Sequence, residues 1–394
     1  MEDRGYCVRV RSDLYPLFEG KRPPLRRLDI ELTERCNNAC IHCYINLPEA
    51  DRPALERELA TSVLKGILDE AASLGCLSVK FTGGEPLLRE DFEDLYLHAR
   101  GLGLKVYLFT NATRLSPPIV DLFARVPPLE KIEVSIYGVR EESYEGVTRV
   151  RGSFQAVMRG IGLLLERKVP FVVKSAVLPP NRGELEELEK WAEGLPWMDR
   201  PVSWVSGFDL RARRDSEARN EDLRAFRLDG RDTIAILSRD TDSYLKDMKA
   251  FGARFMRPPG KRLLTCGAGN GTACVDAYGS LQPCLLLRHP ASIYDLKKGS
   301  LKRAMKEFFP ELRLKEATNP HYLKRCACCF IKSLCEQCPA KSWMEHGTLD
   351  TPVDYLCELA HFQATDLGLL RSGEKGWEVE DWESRIRSLM ERPE

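Results

Sequence analysis

The chain has 394 residues, more than one compact core usually needs, so its length predicts two or three domains. Its 43% hydrophobic and 30% charged residues describe a soluble globular protein and exclude a disordered one. Lys+Arg and Asp+Glu each number 59, and a formal charge of zero argues against nucleic acid as a partner, since polyanion binders carry a basic face.

Residues 1–27 read as an N-terminal extension. The opening "MEDRGYCVRVRSDLYPLFEGKRPP" has no apolar stretch long enough for a secretory signal, and no segment reaches the length of a membrane span. The expectation is a cytoplasmic protein with no membrane partner. In that reducing setting the fourteen cysteines are expected to do metal or redox work.

Six strands follow, at 27–32 (RLDIEL), 77–82 (LSVKFT), 105–110 (KVYLFT), 131–136 (KIEVSI), 171–177 (FVVKSAV) and 202–208 (VSWVSGF). Amphipathic stretches at 55–74, 91–101, 118–124, 154–167 and 184–193 read as helices between them, with Ser153 as a cap-type start and Gly75 and Gly101 as stops. Strand–helix repetition predicts βα units around a parallel sheet, wound one way by right-handed crossovers. Six units are too few for an eight-stranded barrel. The predicted fold class is therefore α/β, a partial (β/α)6 TIM-like barrel over 28–235. The basic run Arg211-Ala212-Arg213-Arg214 reads as a solvated loop. A linker over 236–262 ends near Pro258-Pro259-Gly260, and residues 263–360 form a small cysteine-rich domain held by metal more than by a core. Residues 361–394 form a helical tail whose Trp382, Ile386 and Leu389 share one face that docks onto the protein's own surface.

Just after the first strand, "LTERCNNACIHCYINLP" sets Cys36-x3-Cys40-x2-Cys43. Thiolates select zinc or iron–sulfur clusters. A structural zinc site closes with four protein ligands, and no fourth cysteine or correctly spaced histidine follows nearby; His42 reads as a loop residue. A [4Fe–4S] cubane normally takes four thiolates, so three leave one iron open to an exogenous chelator. CxxxCxxC after the first strand of a βα barrel, followed by Tyr44, resembles the signature of radical S-adenosylmethionine (SAM) enzymes. In that family the methionine amino and carboxylate groups of SAM take the open iron.

The second strand ends in Gly83-Gly84-Glu85-Pro86, which matches the family's GGEP stretch. The glycines are expected to let the backbone approach a ligand, and Glu85 to accept a hydrogen bond from the SAM ammonium. By similarity Asn111, in "FTNAT", and Ser135, in "VSIYG", contact the ribose or methionine portion of SAM, against the plainer reading of cap or turn residues. Arg149 and Arg151 both qualify as the arginine for the SAM carboxylate, and the sequence does not choose between them.

A second group of cysteines runs Cys266, Cys274, Cys284, Cys326, Cys329, Cys335, Cys338 and Cys357, with Gly279 five residues before Cys284. It resembles the SPASM extension of radical SAM enzymes, which carries two auxiliary [4Fe–4S] clusters. The resemblance assigns Cys266, Cys274, Cys284 and Cys338 to one cluster, and Cys326, Cys329, Cys335 and Cys357 to the other. Two residues separate Cys335 from Cys338 where the family often has three, and Cys328 is an alternative to Cys329. Two zinc sites are the competing reading of the same residue types. Cys7 and Cys76 remain outside these sets, and Cys76 reads as a small buried hydrophobe.

The resemblance implies a radical SAM oxidoreductase or maturase with three [4Fe–4S] clusters, one binding SAM and two auxiliary. Such an enzyme cleaves SAM reductively to a 5′-deoxyadenosyl radical that takes hydrogen from a substrate. It further implies a peptide or protein side chain as substrate, a flavodoxin- or ferredoxin-type one-electron donor and a possible separate peptide-recognition protein. The alternatives are a small molecule such as a tetrapyrrole or cofactor precursor and, in a different class, a non-catalytic iron–sulfur or zinc scaffold.

Overall fold

The computed structural model describes residues 24–391 apart from Arg200 and Ser206, so Cys7 and most of the N-terminal extension lie outside the described residues. The chain divides into two compact units.

The first unit is built on six parallel strands side by side: β1 (Leu25–Thr33), β2 (Ser78–Gly83), β3 (Lys105–Thr110), β4 (Leu129–Ser135), β5 (Phe171–Ala176) and β6 (Ser203–Val205). All six predicted strands are present. The last is three residues long, because Pro201 and Gly207 flank it closely. Along β1 the side chains of Leu28, Ile30 and Leu32 are at most 1% exposed, and Val79, Phe81, Val106, Leu108, Ile132 and Val134 continue that buried face on β2 to β4. The opposite face is ionic. Lys80 lies 3.5 Å from Asp29, Lys174 lies 2.7 Å from Glu133, and both ammonium groups rest against the Phe109 ring at 4.3 and 3.8 Å. Parallel strands covered on both faces by helices read as continuous apolar runs. The alternation seen here belongs to an open barrel with a polar concave side.

Helices α1 (Thr61–Ser73), α2 (Phe92–Gly101), α3 (Pro117–Arg125), α4 (Glu141–Thr148), α5 (Ser153–Glu166), α6 (Leu185–Glu193) and α7 (Glu217–Phe226) join and follow the strands. The helix expected over 55–74 is broken: a separate short helix at Arg52–Arg57 precedes α1. The break falls where Glu58 turns inward to Arg35 and the Leu59 N–H donates to the Ala277 carbonyl at 2.9 Å. Helix α4 was not expected; it buries few apolar residues, chiefly Tyr144 and Val147. At the start of α5 the cap position is Gly152, at φ 80°, and Ser153 is the first helical residue.

The sheet continues past the barrel. β7 (Gly271–Val275) pairs in parallel with the other edge of β1, and β8 (Ser280–Gln282) and β9 (Tyr294–Asp295) follow antiparallel. An open barrel leaves that edge of β1 unpaired, and β7 satisfies its N–H and C=O groups. Residues 267–285 and 290–310 therefore belong to the first unit, and the segment expected as one domain at 263–360 is divided.

The second unit comprises Arg227–Cys266, Leu286–His289 and Glu311–Glu394. It contains α8 (Gly230–Leu237), α9 (Thr241–Phe255), α10 (Lys332–Cys335), α11 (Pro339–His346), α12 (Asp354–Asp366) and α13 (Trp382–Met390), besides shorter turns. The region expected as a linker at 236–262 holds α9, whose cap Asp240 accepts from the Ser243 N–H. The predicted tail helix is α13. Its Ile386 and Leu389 are buried in a core with Phe330, Ile331 and Ala364, and Trp382 stacks on Phe330 at 6.3 Å.

Replacing Ile30 on central β1 by alanine is expected to cost about 2–5 kcal/mol in urea unfolding. Val205→Ala, on the exposed edge strand, should stay within about 0.5 kcal/mol. Equal costs at the two positions would contradict the central place of β1.

Candidate functional site

β1 ends at Thr33, and within three residues the chain reaches Cys36. A Cβ on Gly83 would stand 2.1 Å from the Thr33 carbonyl oxygen, and one on Gly84 2.1 Å from that of Arg35. The glycines are therefore required by the passage of the chain's own backbone, a different reason from the ligand approach expected of them. The Gly84 N–H donates to Thr33 O at 2.8 Å and the Glu85 N–H to Arg35 O at 2.9 Å. Pro86 opens a 3₁₀ turn at Pro86–Leu88, with Glu85 as its cap.

Glu85 is fully buried. Its carboxylate accepts from Leu87 N at 3.1 Å, from Thr110 Oγ1 at 2.8 Å and from Asn111 N at 2.8 Å. A carboxylate has about four lone-pair sites, so one remains for a further donor. Burial raises its pKa to about 7 against these hydrogen bonds.

Asn111 ties the first cysteine to β3. Its Nδ2 donates to Asn37 Oδ1 at 3.0 Å and lies 3.7 Å from Cys36 Sγ, while Oδ1 accepts from the Thr113 N–H and hydroxyl. The turn role and the approach to the three-cysteine loop are both present. Ser135 ends β4, in register with Lys174. Arg149 lines a cavity of about 610 Å³ with Cys36, Asn37 and Asn38, and Arg151 does not.

The loop from Cys36 to Pro48 is held from several sides. The Ala39 and Ile41 N–H groups donate to the Thr148 and Val147 carbonyls of α4. Arg35 pairs with Glu58 at 2.8 Å, nearly out of solvent, and Arg89 reaches the same carboxylate at 3.5 Å. Arg211, expected in a solvated loop, is 2% exposed; it donates to Cys43 O and Asn46 Oδ1, each at 3.3 Å, and is bidentate to Asp215. Arg219 donates to Cys40 O at 3.3 Å and Asn46 O at 3.4 Å. Arg213 bridges Glu34 and Asp276. The Tyr44 carbonyl accepts from Ala212 N at 3.0 Å. These arginines are the functional residues sequence reasoning missed. Three basic residues within four positions was the signal, and it pointed at the loop instead of at water.

The donor set fits an iron–sulfur cluster with an additional polar ligand. Burial, and then the charge of Glu85, pushes the Cys36 thiol well up; burial and the two neighbouring thiols do the same at Cys40. Such thiols become thiolates only beside a cation. Next to them the Asn38 amide and the Tyr144 hydroxyl make no hydrogen bond of ordinary geometry, and His42 Nδ1 is buried without a partner. The His42 ring packs edge-on to Tyr137 at 4.9 Å, and burial lowers its pKa to about 4. Cys36, Cys40 and Cys43 would hold the cluster.

In the second unit Cys326, Cys329, Cys335 and Cys357 line one cavity with Arg325, Lys332 and His361. Cys328 is exposed and bonds Leu323 O at 3.6 Å, outside that cavity. Burial drives the Cys326 thiol up to about 11 and the Cys329 thiol up to about 12. The other expected set is not gathered within one unit. Cys274 is buried in β7, and Cys284 lies in the first unit with it; exposed Cys266 and Cys338, the cap of α11, belong to the second. Cys76 is fully buried, as expected of a small hydrophobe. Among the described residues no cysteine is in a disulfide, and no three His, Cys, Asp or Glu side chains are grouped so as to hold a single metal ion. No helix among them is long and apolar enough to cross a membrane.

Residues 30–192 match the family described as the Radical SAM superfamily. The AdoMet-dependent heme synthase of Methanosarcina barkeri (strain Fusaro) is 27% identical over 342 residues, 83% of this chain and 93% of that protein. The PqqA peptide cyclase of Xanthomonas euvesicatoria pv. vesicatoria is 36% identical over 162 residues, 41% of this chain and 42% of that one. The structure of native anSMEcpe with bound AdoMet and Cp18Cys peptide superposes with a TM-score of 0.57 at 16% identity, covering 93% of this chain and 99% of that one, a likeness of fold.

The Glu85 carboxyl sets a pH dependence. Folding raises its pKa from 4.5 to about 7, so between these values the folded state holds a proton that the unfolded chain has released. Its contribution to stability therefore falls as pH rises from about 4.5 to about 7 and is flat above. Glu85→Gln should remove that part of the slope in denaturant titrations of the metal-free protein. An unchanged slope would sink the assignment.

Proposed function

From a radical SAM enzyme, which this chain is by the superfamily domain at 30–192, we propose a maturase that takes hydrogen from a peptide or protein side chain. Cys36, Cys40 and Cys43 would hold a [4Fe–4S] cluster, and Cys326, Cys329, Cys335 and Cys357 an auxiliary one. The observation that carries the reading is the gathering of three thiols, Cys40 buried and Cys36 and Cys43 half-buried, beside polar side-chain atoms of Asn38, His42 and Tyr144 that make no hydrogen bond of ordinary geometry. That set suits a cluster with a small polar ligand on its open iron.

When bound, the cluster and SAM supply one-electron cleavage of SAM and hydrogen abstraction. The chain's own residues bind and orient. Glu85 offers its remaining lone pair to the SAM ammonium, and Arg149, at the cavity rim with Cys36, offers its guanidinium to the carboxylate. Asn111 and Ser135 stand at the strand ends where the ribose or methionine portion would lie. Gly83, Gly84 and Pro86 fix the turn carrying Glu85, and Tyr44 anchors the loop through its carbonyl. The electron would come from an external flavodoxin- or ferredoxin-type donor.

What supports a peptide is the likeness to the peptide cyclase over 162 residues. A second reading, a small molecule such as a tetrapyrrole, is favoured by the heme synthase alignment, which runs over most of both chains.

Anaerobic protein reduced with dithionite should convert SAM to 5′-deoxyadenosine. Cys36→Ala, Cys40→Ala or Cys43→Ala should each abolish this while sparing the auxiliary iron. Cys335→Ala should lose iron and coupled product yet keep uncoupled SAM cleavage. Equal iron loss in both groups would contradict two separate sites. Peptides or tetrapyrroles that stimulate 5′-deoxyadenosine formation and return a changed mass separate the two substrate readings.

A further inference from the structure

Lys332 is 5% exposed and lines the four-cysteine cavity, and among the described residues no carboxylate pairs with it. Its ammonium lies 5.4 Å from the ring of Tyr322 and interacts with that residue's hydroxyl, a neutral partner and so a weak compensation for leaving water. A buried ammonium is ordinarily matched by an anion. Arg325 adds a second cation to the same wall. Its Nη2 is 3.6 Å from Cys357 Sγ and 3.0 Å from Asp354, whose side chain is 75% exposed, while its buried Nε has no partner. His361 completes the set as a neutral donor. Its Nε2 accepts from the Gly376 N–H at 3.1 Å, which leaves the proton on Nδ1, 2.7 Å from Cys357 O and 3.6 Å from Cys357 Sγ.

The anion that answers these cations is the thiolate set itself. Four thiolates around a dicationic cluster leave a doubly negative centre, and one-electron reduction adds a further negative charge. A fixed cation in a low-dielectric wall stabilises the more negative state more, and so raises the reduction potential.

We propose that Lys332, with Arg325, is the counter-charge of a cluster held by Cys326, Cys329, Cys335 and Cys357, and raises its potential so that this centre takes up electrons. The inference rests on the reading that the cavity holds an iron–sulfur cluster, and it gives that cluster a direction. Oxidation of a substrate leaves an electron to be collected, and the centre flanked by cations is the one suited to collect it.

The test uses the full chain with Cys36, Cys40 and Cys43 changed to alanine and purified without oxygen, so that iron at the first site does not contribute. Iron, zinc and sulfide are measured, and midpoint potentials are read by EPR-monitored titration for Lys332→Met, Lys332→Arg and Arg325→Gln. Lys332→Met should keep its iron and lower one midpoint by about 59 mV or more, a tenfold fall in the one-electron reduction constant. Lys332→Arg should restore most of the shift, and Arg325→Gln should move the same midpoint less and in the same direction. An unchanged midpoint in Lys332→Met with iron retained overturns the role. Should Lys332→Met lose its iron, Arg325→Gln decides: a lowered midpoint supports the counter-charge and an unchanged one overturns it. Zinc in place of iron, or iron untouched by a further Cys335→Ala, overturns the cluster reading itself, whatever Lys332 does.

Discussion

The first site depends on one close approach of backbone to backbone. The chain leaving β1 passes so near Gly83 and Gly84 that any side-chain carbon there would meet a carbonyl oxygen at 2.1 Å. Contacts that short do not exist, so an alanine forces the backbone of one segment or the other to move. The approach fixes where Thr33 to Arg35 run, and Cys36 is the next residue. It also fixes Glu85, whose buried carboxylate reaches the end of β3 through Thr110 and Asn111. Asn111 returns to Cys36 Sγ. The ends of three strands are thus closed into one ring of contacts, with the first cysteine in it.

The rest of the three-cysteine loop is shaped by guanidinium groups acting on carbonyls. Arg211 and Arg219 draw the oxygens of Cys43, Cys40 and Asn46 toward themselves. A loop with its carbonyls engaged on one side has its side chains free for the other. Arg211 is neutralised by Asp215, and the same carboxylate acts on Arg219 without a direct ion pair. Arg35, Glu58 and Arg89 supply the matching anchor, an ion pair almost out of solvent that also breaks the helix read as continuous over 55–74.

The barrel was legible because its strands are short β-branched runs between helical periods, signals that survive without tertiary context. The strand at 271–275 was not. "GTACV" is too short and too plain to announce itself, and it exists because β1 has an unpaired edge to offer. The helices between residues 217 and 255 were hidden for the opposite reason. Their charged faces dominate the composition, and α7 buries only Asn220 and Leu223. Cysteine spacing marked Cys36, Cys40 and Cys43, since ligands must recur at loop distances, and the family resemblance grouped Cys326, Cys329, Cys335 and Cys357, which line one cavity. It could not mark Arg211, Arg219 or Lys332, which lie far along the chain or are ordinary in type, and whose roles appear only once their burial and contacts are visible.

The two thiol sites differ in the company they keep, and the difference tells against a common role. Around Cys36 and Cys40 the buried groups without partners are neutral: an amide, a phenol and an imidazole nitrogen. Neutral donors and acceptors left open suit a polar molecule that arrives and departs, because each can exchange water for ligand at little net cost. Around Cys326, Cys329, Cys335 and Cys357 the company is cationic, with Lys332 inside and Arg325 at 3.6 Å from sulfur. A buried cation asks for a permanent anion, which a transient ligand does not provide. In the proposed enzyme, three thiols beside neutral polar groups would serve a site that exchanges a ligand, and four thiols beside fixed cations one that exchanges charge.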